Sequence, residues 1–465
     1  MSFFESIVTG PKKLSVKLKK TAIQVSGSFW FAPLMMVFVA IFFGLLLSPF
    51  SSTDLRILNL LKINDVTASQ GMSNLVASST ISVISIAFSM TLVALVMASG
   101  QFGPRIIRSF MESKKTQFTL GLFTSTFVYS VIVYTKLNTQ NKQLFEQAHS
   151  TEAYLGYPVA VVFISAILCV VTLIFFIHHV ASSIQADNVV ETIAKSLMAD
   201  MKALQQHHDS SQANNNMAYK LGSNEAKPTL SEYSEKYQIR ASLPGYVQAI
   251  EYGALVQLAK KSKGFIELNS RAGKYLINGA SIATLYTNDP DINLEEYTQS
   301  RFLEIGDKRT PLQDPEYAIS QLVEIALRAL SPSMDDPHTA KNCIDKIACA
   351  LGTFTVSNLP SNLMLDTDDN ARLVTCDESF AEIFANAFTQ IRQSAVQRPA
   401  VVCHLLDTFH ALIEASENPE HLIAPIKTQA MALKKLFSHQ SQLHCELDLT
   451  AINQRLRKLG ISDID

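Results

Sequence analysis

Four apolar runs stand out along the first part of the chain, at 29–47, 75–98, 118–134 and 159–177, and none has a charge at its centre. A helix rises about 1.5 Å per residue, so about 20 apolar residues cross a hydrocarbon core roughly 30 Å thick. The pattern predicts a domain of four transmembrane helices over 29–180. After the fourth run the chain continues through 181–208 without glycine or proline, and Val190, Ile193, Leu197, Met201 and Leu204 recur at threes and fours. That period predicts an amphipathic helical stalk continuous with the fourth span, about 50 residues and roughly 75 Å in all. Its apolar stripe needs a partner, either a neighbouring subunit or this chain's own soluble region.

The pattern then changes. Residues 209–237 are rich in Gln, Asn and Ser without an apolar period and read as a flexible linker. Residues 238–300 hold short β-type runs broken by glycines, with a short helix carrying Ala254, Leu255, Leu258 and Ala259, and predict a small β-rich module. The stretch 273–282 resembles the turn of biotinyl/lipoyl-type barrel-sandwich domains, but no lysine stands where such carriers are modified. Residues 301–465 predict a mainly helical domain, with helices over 317–330, 378–396, 400–415 and 425–437. The expected fold class is an α-helical integral membrane protein with an α+β cytoplasmic C-terminal region.

Charge orients this layout. Lys12, Lys13, Lys17, Lys19 and Lys20 precede the first span, and Arg105, Arg108, Lys114 and Lys115 lie between the second and third. The other two connections hold only Arg56 and Lys62, then Lys136 and Lys142. The positive-inside rule places both termini, including the basic segment 1–28, in the cytoplasm. The first apolar run is too long for a cleavable signal peptide. A charged fraction of 17% is low against roughly 25% for soluble proteins. A net charge of -2 argues against a dedicated nucleic-acid binder, which needs a basic surface.

Candidate chemistry is sparse. Ser78, Ser82, Ser85 and Ser89 of the second span follow at steps of four, three and four, which puts them on one helical face. That face reads either as a small-residue packing seam or as the polar lining of a path. Gly100, Gly103 and Pro104 follow as a candidate hinge or a plain turn. His178 and His179 read as interfacial side chains. Asp314-Pro315 and Asp336-Pro337 each place an acceptor before a proline at the first helical position, so Asp314 and Asp336 are expected caps. Asp335 beside Asp336 invites a ligand-site reading as well. The six cysteines (Cys169, Cys343, Cys349, Cys376, Cys403 and Cys445) form no metal-ligand spacing and read as reduced thiols, and His207, His208 and Asp209 lack further ligands. No metal, cofactor or catalytic residue is expected, and no nucleophile elbow, phosphate loop or kinase signature is present.

Three stretches carry a family resemblance: 328–340 (RALSPSMDDPHTA), 98–105 (ASGQFGPR) and 176–181 (FIHHVA). They resemble an uncharacterised bacterial membrane-protein family, domain-of-unknown-function family 2254, over nearly the whole chain, with asparagine usual in that family where this chain has Asp335. The resemblance implies a multi-pass protein of the bacterial inner membrane and no assigned activity or ligand. Two functions then fit the sequence. One is a homo-oligomeric channel or transport protein for an ion or small solute, with the second span lining the path and the cytoplasmic region gating it. The other is a membrane-anchored regulatory protein whose cytoplasmic region binds a partner or small ligand.

Overall fold

The computed structural model describes residues 28–47, 66–103, 113–146, 157–213, 219–221, 228–291, 302–311, 313–353, 362–376, 378–416, 419–438 and 445–462. Nearly all of the basic segment 1–28, and Pro104, Arg105 and Arg108, lie outside the described residues. The chain divides into an N-terminal unit, 1–185, and a C-terminal unit, 186–465.

The N-terminal unit consists of α1 (Phe31–Leu46), α2 (Val66–Phe102), α3 (Lys114–Glu146) and α4 (Tyr157–Ser183). Among the described residues, three helical stretches are long and apolar enough to cross a membrane: Thr67–Phe102, Lys114–Thr139 and Pro158–Ser183. The first expected span is shorter than its apolar run. At 16 residues, α1 extends about 24 Å, less than the hydrocarbon core. Leu47 is already extended. Lys136 of α3 donates to the carbonyls of Leu45 (2.7 Å) and Leu47 (3.0 Å), covering acceptors that the end of α1 leaves open.

Two buried clusters fix the helix directions. One joins Val76 of α2 to Tyr129 and Val133 of α3 and to Val159 and Val162 of α4. The other joins Ala87 and Ala94 to Leu120 and Phe123 and to Cys169 and Phe176. The order of these residues makes α3 antiparallel to both α2 and α4. Helix α1 runs in the same direction as α3, since Pro33 and Met36 meet Gly121 while Gly44 meets Ile132. A Cβ on Gly121 would lie 2.6 Å from Met36 Sδ and 3.1 Å from Pro33 Cα, so a larger residue there would make Met36 shift and crowd the α1 backbone.

The C-terminal unit begins with α5 (Ala186–Ala213), which is not one helix with α4. Ile184 and Gln185 leave the helical ladder, and the Ser183 hydroxyl competes for it by donating to the His179 carbonyl (2.6 Å). The stripe of α5, including Val190, Ile193, Leu197 and Met201, is buried against α7 (Pro315–Ala329) and α8 (Pro337–Thr353). Glu191–Lys346 (2.6 Å) and Asp187–Asn342 (2.9 Å) flank that seam. The stalk's partner is therefore this chain's own C-terminal unit.

The strand-rich part is also wider than 238–300. Strands β1 (Lys220–Leu221), β2 (Glu235–Arg240), β4 (Phe265–Leu268), β6 (Ser281–Thr287), β8 (Leu363–Leu365) and β9 (Ala371–Val374) form one sheet in the order β1-β8-β9-β4-β6-β2. Only β4 and β9 pair in parallel, with Ile266 opposite Leu373. Strand β1 comes from the expected linker, and β8 and β9 come from the expected helical domain. A second sheet orders β5 (Tyr275–Leu276), β3 (Gly245–Ile250) and β7 (Leu303–Gly306) as β5-β3-β7, and α6 (Tyr252–Lys261) follows β3. The long separation in sequence between β4 and β9 explains why no local signal joined them.

The remaining helices are α9 (Phe380–Ala395), α10 (Pro399–Ala415), α11 (Glu420–Ser438) and α12 (Glu446–Lys458). A capping box of Ser379 and Glu382 starts α9, and Arg398 precedes Pro399 at the first turn of α10. Phe384 and Phe388 of α9 and Phe409 of α10 close the core, with ring centroids 4.8 Å and 5.1 Å apart in successive pairs.

Candidate functional site

The polar residues of α2 divide between two faces. Ser69, Ser73 and Thr80 are buried with Val76, Ala87 and Ala94. Ser78, Ser82, Ser85 and Ser89 are all exposed, half a turn away from that buried face. Gly71, Asn74 and Gly100 are exposed on the same stripe, and neither glycine has a heavy atom within 4 Å of an added Cβ. Two of the hydroxyls are satisfied locally: Ser82 donates to the Ser78 carbonyl (3.3 Å) and Ser85 to the Ile81 carbonyl (3.0 Å). Such back-bonding lets serine sit in an apolar medium with its donor used. The serines therefore do not line a path inside this chain's own helix group.

The candidate hinge residues lie at and beyond the end of α2. Gly100 lies within α2, and the helix ends two residues later. Gly103 takes φ 101° and donates its N–H to the Ser99 carbonyl (3.1 Å), a left-handed cap that glycine adopts without strain. Pro104 is outside the described residues.

In the C-terminal unit the stretch 331–336 forms a tight connection between α7 and α8. The Ser331 hydroxyl donates to the Arg328 carbonyl (2.6 Å), and the Asp336 N–H donates to the Ala329 carbonyl (2.8 Å). These bonds cover the last carbonyls of α7. Asp336 caps α8: Oδ1 accepts from the His338 and Thr339 amides, and Oδ2 accepts from the Thr339 hydroxyl (2.6 Å). The Thr339 hydroxyl, with both amides, holds the Asp336 carboxyl below its ordinary pKa. Asp335 takes φ 43°, a left-handed conformation that costs a non-glycine residue energy. Its Oδ1 accepts from both Nε (3.0 Å) and Nη2 (2.9 Å) of Arg398.

Beside that connection lies an open cleft of about 480 Å³. Its apolar side is formed by Leu327, Leu330, Val396 and Leu436, and Ser331 and Arg398 stand at its polar side. The arginine was not singled out by sequence reasoning. Arg398-Pro399 is legible as a helix start, but nothing local points to a carboxylate 63 residues away.

Asp314 does not cap α7 as expected, because its side chain makes no capping bond. Its carboxylate is fully buried and accepts from Arg309 through Nε and Nη2, each at 2.8 Å. Burial pushes the Asp314 carboxyl above its ordinary pKa, against the pull of Arg309. Glu316 extends the network: it accepts from Arg271 (3.1 Å) and Asn386 (2.6 Å), and Arg271 also pairs with Glu378. Gly273 takes φ 83°, and a Cβ there would lie 2.3 Å from Asp314 Oδ2, so glycine is needed twice over. Arg271, Arg309, Glu316 and Glu378 were also missed, since they converge from separate elements. Among the described residues, no three His, Cys, Asp or Glu side chains are placed to hold a metal ion.

Apolar membrane-length helices and a separate mixed C-terminal unit define an integral membrane protein. The chain belongs to the family described as predicted membrane protein DUF2254, whose model matches residues 26–411. An uncharacterized protein of Mycobacterium bovis is 25% identical over 410 residues, covering 87% of this chain and 75% of the relative. An uncharacterized protein of Mycobacterium tuberculosis aligns with the same identity and coverage. No solved structure matches the chain.

Proposed function

We propose that the protein is an oligomeric channel or transport-like protein of the bacterial inner membrane, in which copies meet along the α2 stripe from Gly71 to Gly100. Both termini are then cytoplasmic, and the C-terminal unit regulates the path. The reading is carried by one observation: the four serines are the centre of the exposed face of α2. Large apolar residues such as Ile81, Ile86, Leu92 and Val93 flank them. A purely lipid-facing stripe gains nothing from hydroxyls and small residues, whereas close approach of a second helix does. A path lined by these serines is thus built from several copies rather than within one.

The test is single-channel recording or liposome flux of the purified, reconstituted protein beside Ser85→Trp. Conductance that the substitution blocks or reshapes supports the reading. Silence across ions, voltage and membrane tension, from protein shown to be folded, removes it. A membrane-anchored regulatory protein is the second reading, favoured by the open cleft at Arg398.

A further inference from the structure

Among the described residues from 228 to 311, the exposed large apolar side chains are Leu243, Tyr275 and Ile277, and all of them stand at one end of the strand-rich part. Leu243 and Ile277 are as exposed, at 65% and 66%, as Ile174 on the membrane-length α4, at 66%. The hydrogen bonding gathers them. Gly245 of β3 lies opposite Leu276 of β5, and Tyr246 lies opposite Tyr275. Beyond those pairs, the Ala241 N–H donates to the Ala280 carbonyl and the Gly279 N–H to the Ala241 carbonyl, each at 2.8 Å. Residues 242–244 of the β2–β3 turn and 277–278 of the β5–β6 turn lie between these two sets of bonds, so the turns run side by side. Leu243 and Pro244 therefore share one tip with Ile277. Tyr275, two residues before Ile277, meets Tyr246 edge-on, with ring centroids 5.0 Å apart. A lone exposed apolar residue is ordinary, but a contiguous set on adjacent turns marks a contact surface.

The charges around this tip are mainly basic. Arg240 comes from β2, and its Nη1 donates to the Gly279 carbonyl (3.0 Å), which fixes the guanidinium at the foot of the second turn. Lys274 is exposed immediately before Tyr275, with its Nζ donating to the Asn269 carbonyl at 3.2 Å. Gly306 of β7 lies opposite Tyr246, and the exposed Asp307 and Lys308 that follow it offset each other. Aliphatic tips, then tyrosine, then arginine and lysine suit the layers of a bilayer surface, from acyl chain to headgroup phosphate. The chain also keeps this unit at a membrane, since only Ile184 and Gln185 separate α5 from α4. Tethering raises the effective concentration of lipid, so a few side chains suffice where a free protein needs more. We propose that Leu243, Pro244 and Ile277 dip into the surface of an anionic phospholipid bilayer, with Tyr246 and Tyr275 at the interface and Arg240 and Lys274 on headgroup phosphates. The contact does not depend on whether copies form a path along α2.

The test uses the full chain in lipid nanodiscs, with serine at the exposed Cys349, Cys376 and Cys445 and a polarity-sensitive fluorophore on Ile277→Cys. Leu243→Cys gives an independent reading, and Leu447→Cys, exposed on α12, is the reference. In discs containing phosphatidylglycerol, the tip labels should emit to the blue of the reference. Lipid carrying a nitroxide high on its acyl chain should quench them and leave the reference bright. Discs of phosphatidylcholine alone should show weaker quenching. On the anionic discs, Arg240→Gln and Lys274→Gln should each lower the ratio of inserted to free tip about fivefold, because a cation near such a surface contributes about 1 kcal/mol. Quenching at the tip no greater than at Leu447 overturns the proposal. So does a blue shift without quenching, which means that protein rather than lipid covers the tip. Quenching that ignores both lipid charge and the two substitutions overturns it as well.

Discussion

The two units place polar and apolar side chains in opposite ways. In the N-terminal unit, large apolar residues such as Phe42, Ile86, Ile174 and Phe175 face outward, while Ser69, Ser73 and Ser130 are hidden. In the C-terminal unit, Phe265, Phe384, Phe388 and Phe409 are fully buried, and among the described residues large apolar side chains are exposed at a few positions, such as Leu243, Ile277 and Leu447. The hydrophobic effect drives apolar area out of water, so only the second unit has the surface of a chain folded in water. The first has a surface matched to hydrocarbon, where packing and hydrogen bonds rather than burial of apolar area hold helices together. Its close contacts accordingly use Gly121 and Gly44, and an end of α1 is held by Lys136.

The same contrast governs charge. The C-terminal unit buries a carboxylate at Asp314 and holds it with Arg309. Removing one partner of a buried pair leaves the other uncompensated, so Arg309→Ala is expected to destabilise this unit by about 3 kcal/mol in denaturant unfolding. The folded Asp314 carboxyl binds its proton more tightly than the unfolded one. Its contribution is then fullest below the ordinary carboxylate pKa and lessens as pH rises through the raised value. The loss in Arg309→Ala should accordingly be larger at neutral than at acid pH. A pH-independent loss would show that the arginine acts by packing alone.

A paired substitution sharpens the comparison of surfaces. Ile167 of α4 and Leu447 of α12 are both exposed, at 52% and 79%. Ile167→Asp should cost about 3 kcal/mol of membrane insertion, measured by a glycosylation or protease-protection assay. Leu447→Asp should change stability by no more than about 0.5 kcal/mol. Equal, small effects would contradict the assignment of the first surface to lipid.

The smallest expected effect is at Asp336. Asp336→Ala should cost about 1 kcal/mol in thermal unfolding by removing the cap of α8. The folded carboxyl lies below its ordinary pKa, so this stability is present above the ordinary value and lost as pH falls through the lowered one. The difference between wild type and Asp336→Ala should vanish in acid.

Local pattern made part of this legible. Apolar runs located α2, α3 and α4, because hydropathy is a property of neighbouring residues. The helix bounds were less so: α2 begins at Val66 rather than near residue 75, since Thr67 to Asn74 are mostly polar yet helical. The stalk's apolar period was visible, but not that Ile184 and Gln185 separate it from α4. The serine spacing was visible too, whereas its outward direction depends on which face α3 and α4 cover. Contacts between distant segments were invisible, including Arg398 with Asp335 and β4 with β9, because each residue alone has an ordinary local role.

Disulfide cross-linking in native membranes tests most directly whether the α2 stripe meets another copy. The host chain carries serine at Cys349, Cys376 and Cys445, which are exposed. Single cysteines at Ser78, Ser82, Ser85 and Ser89 should give a dimer band, whereas Ile174→Cys on the exposed face of α4 should not. A band at Ile174 as strong as at the serine positions, or no band at any of the four, would contradict the account.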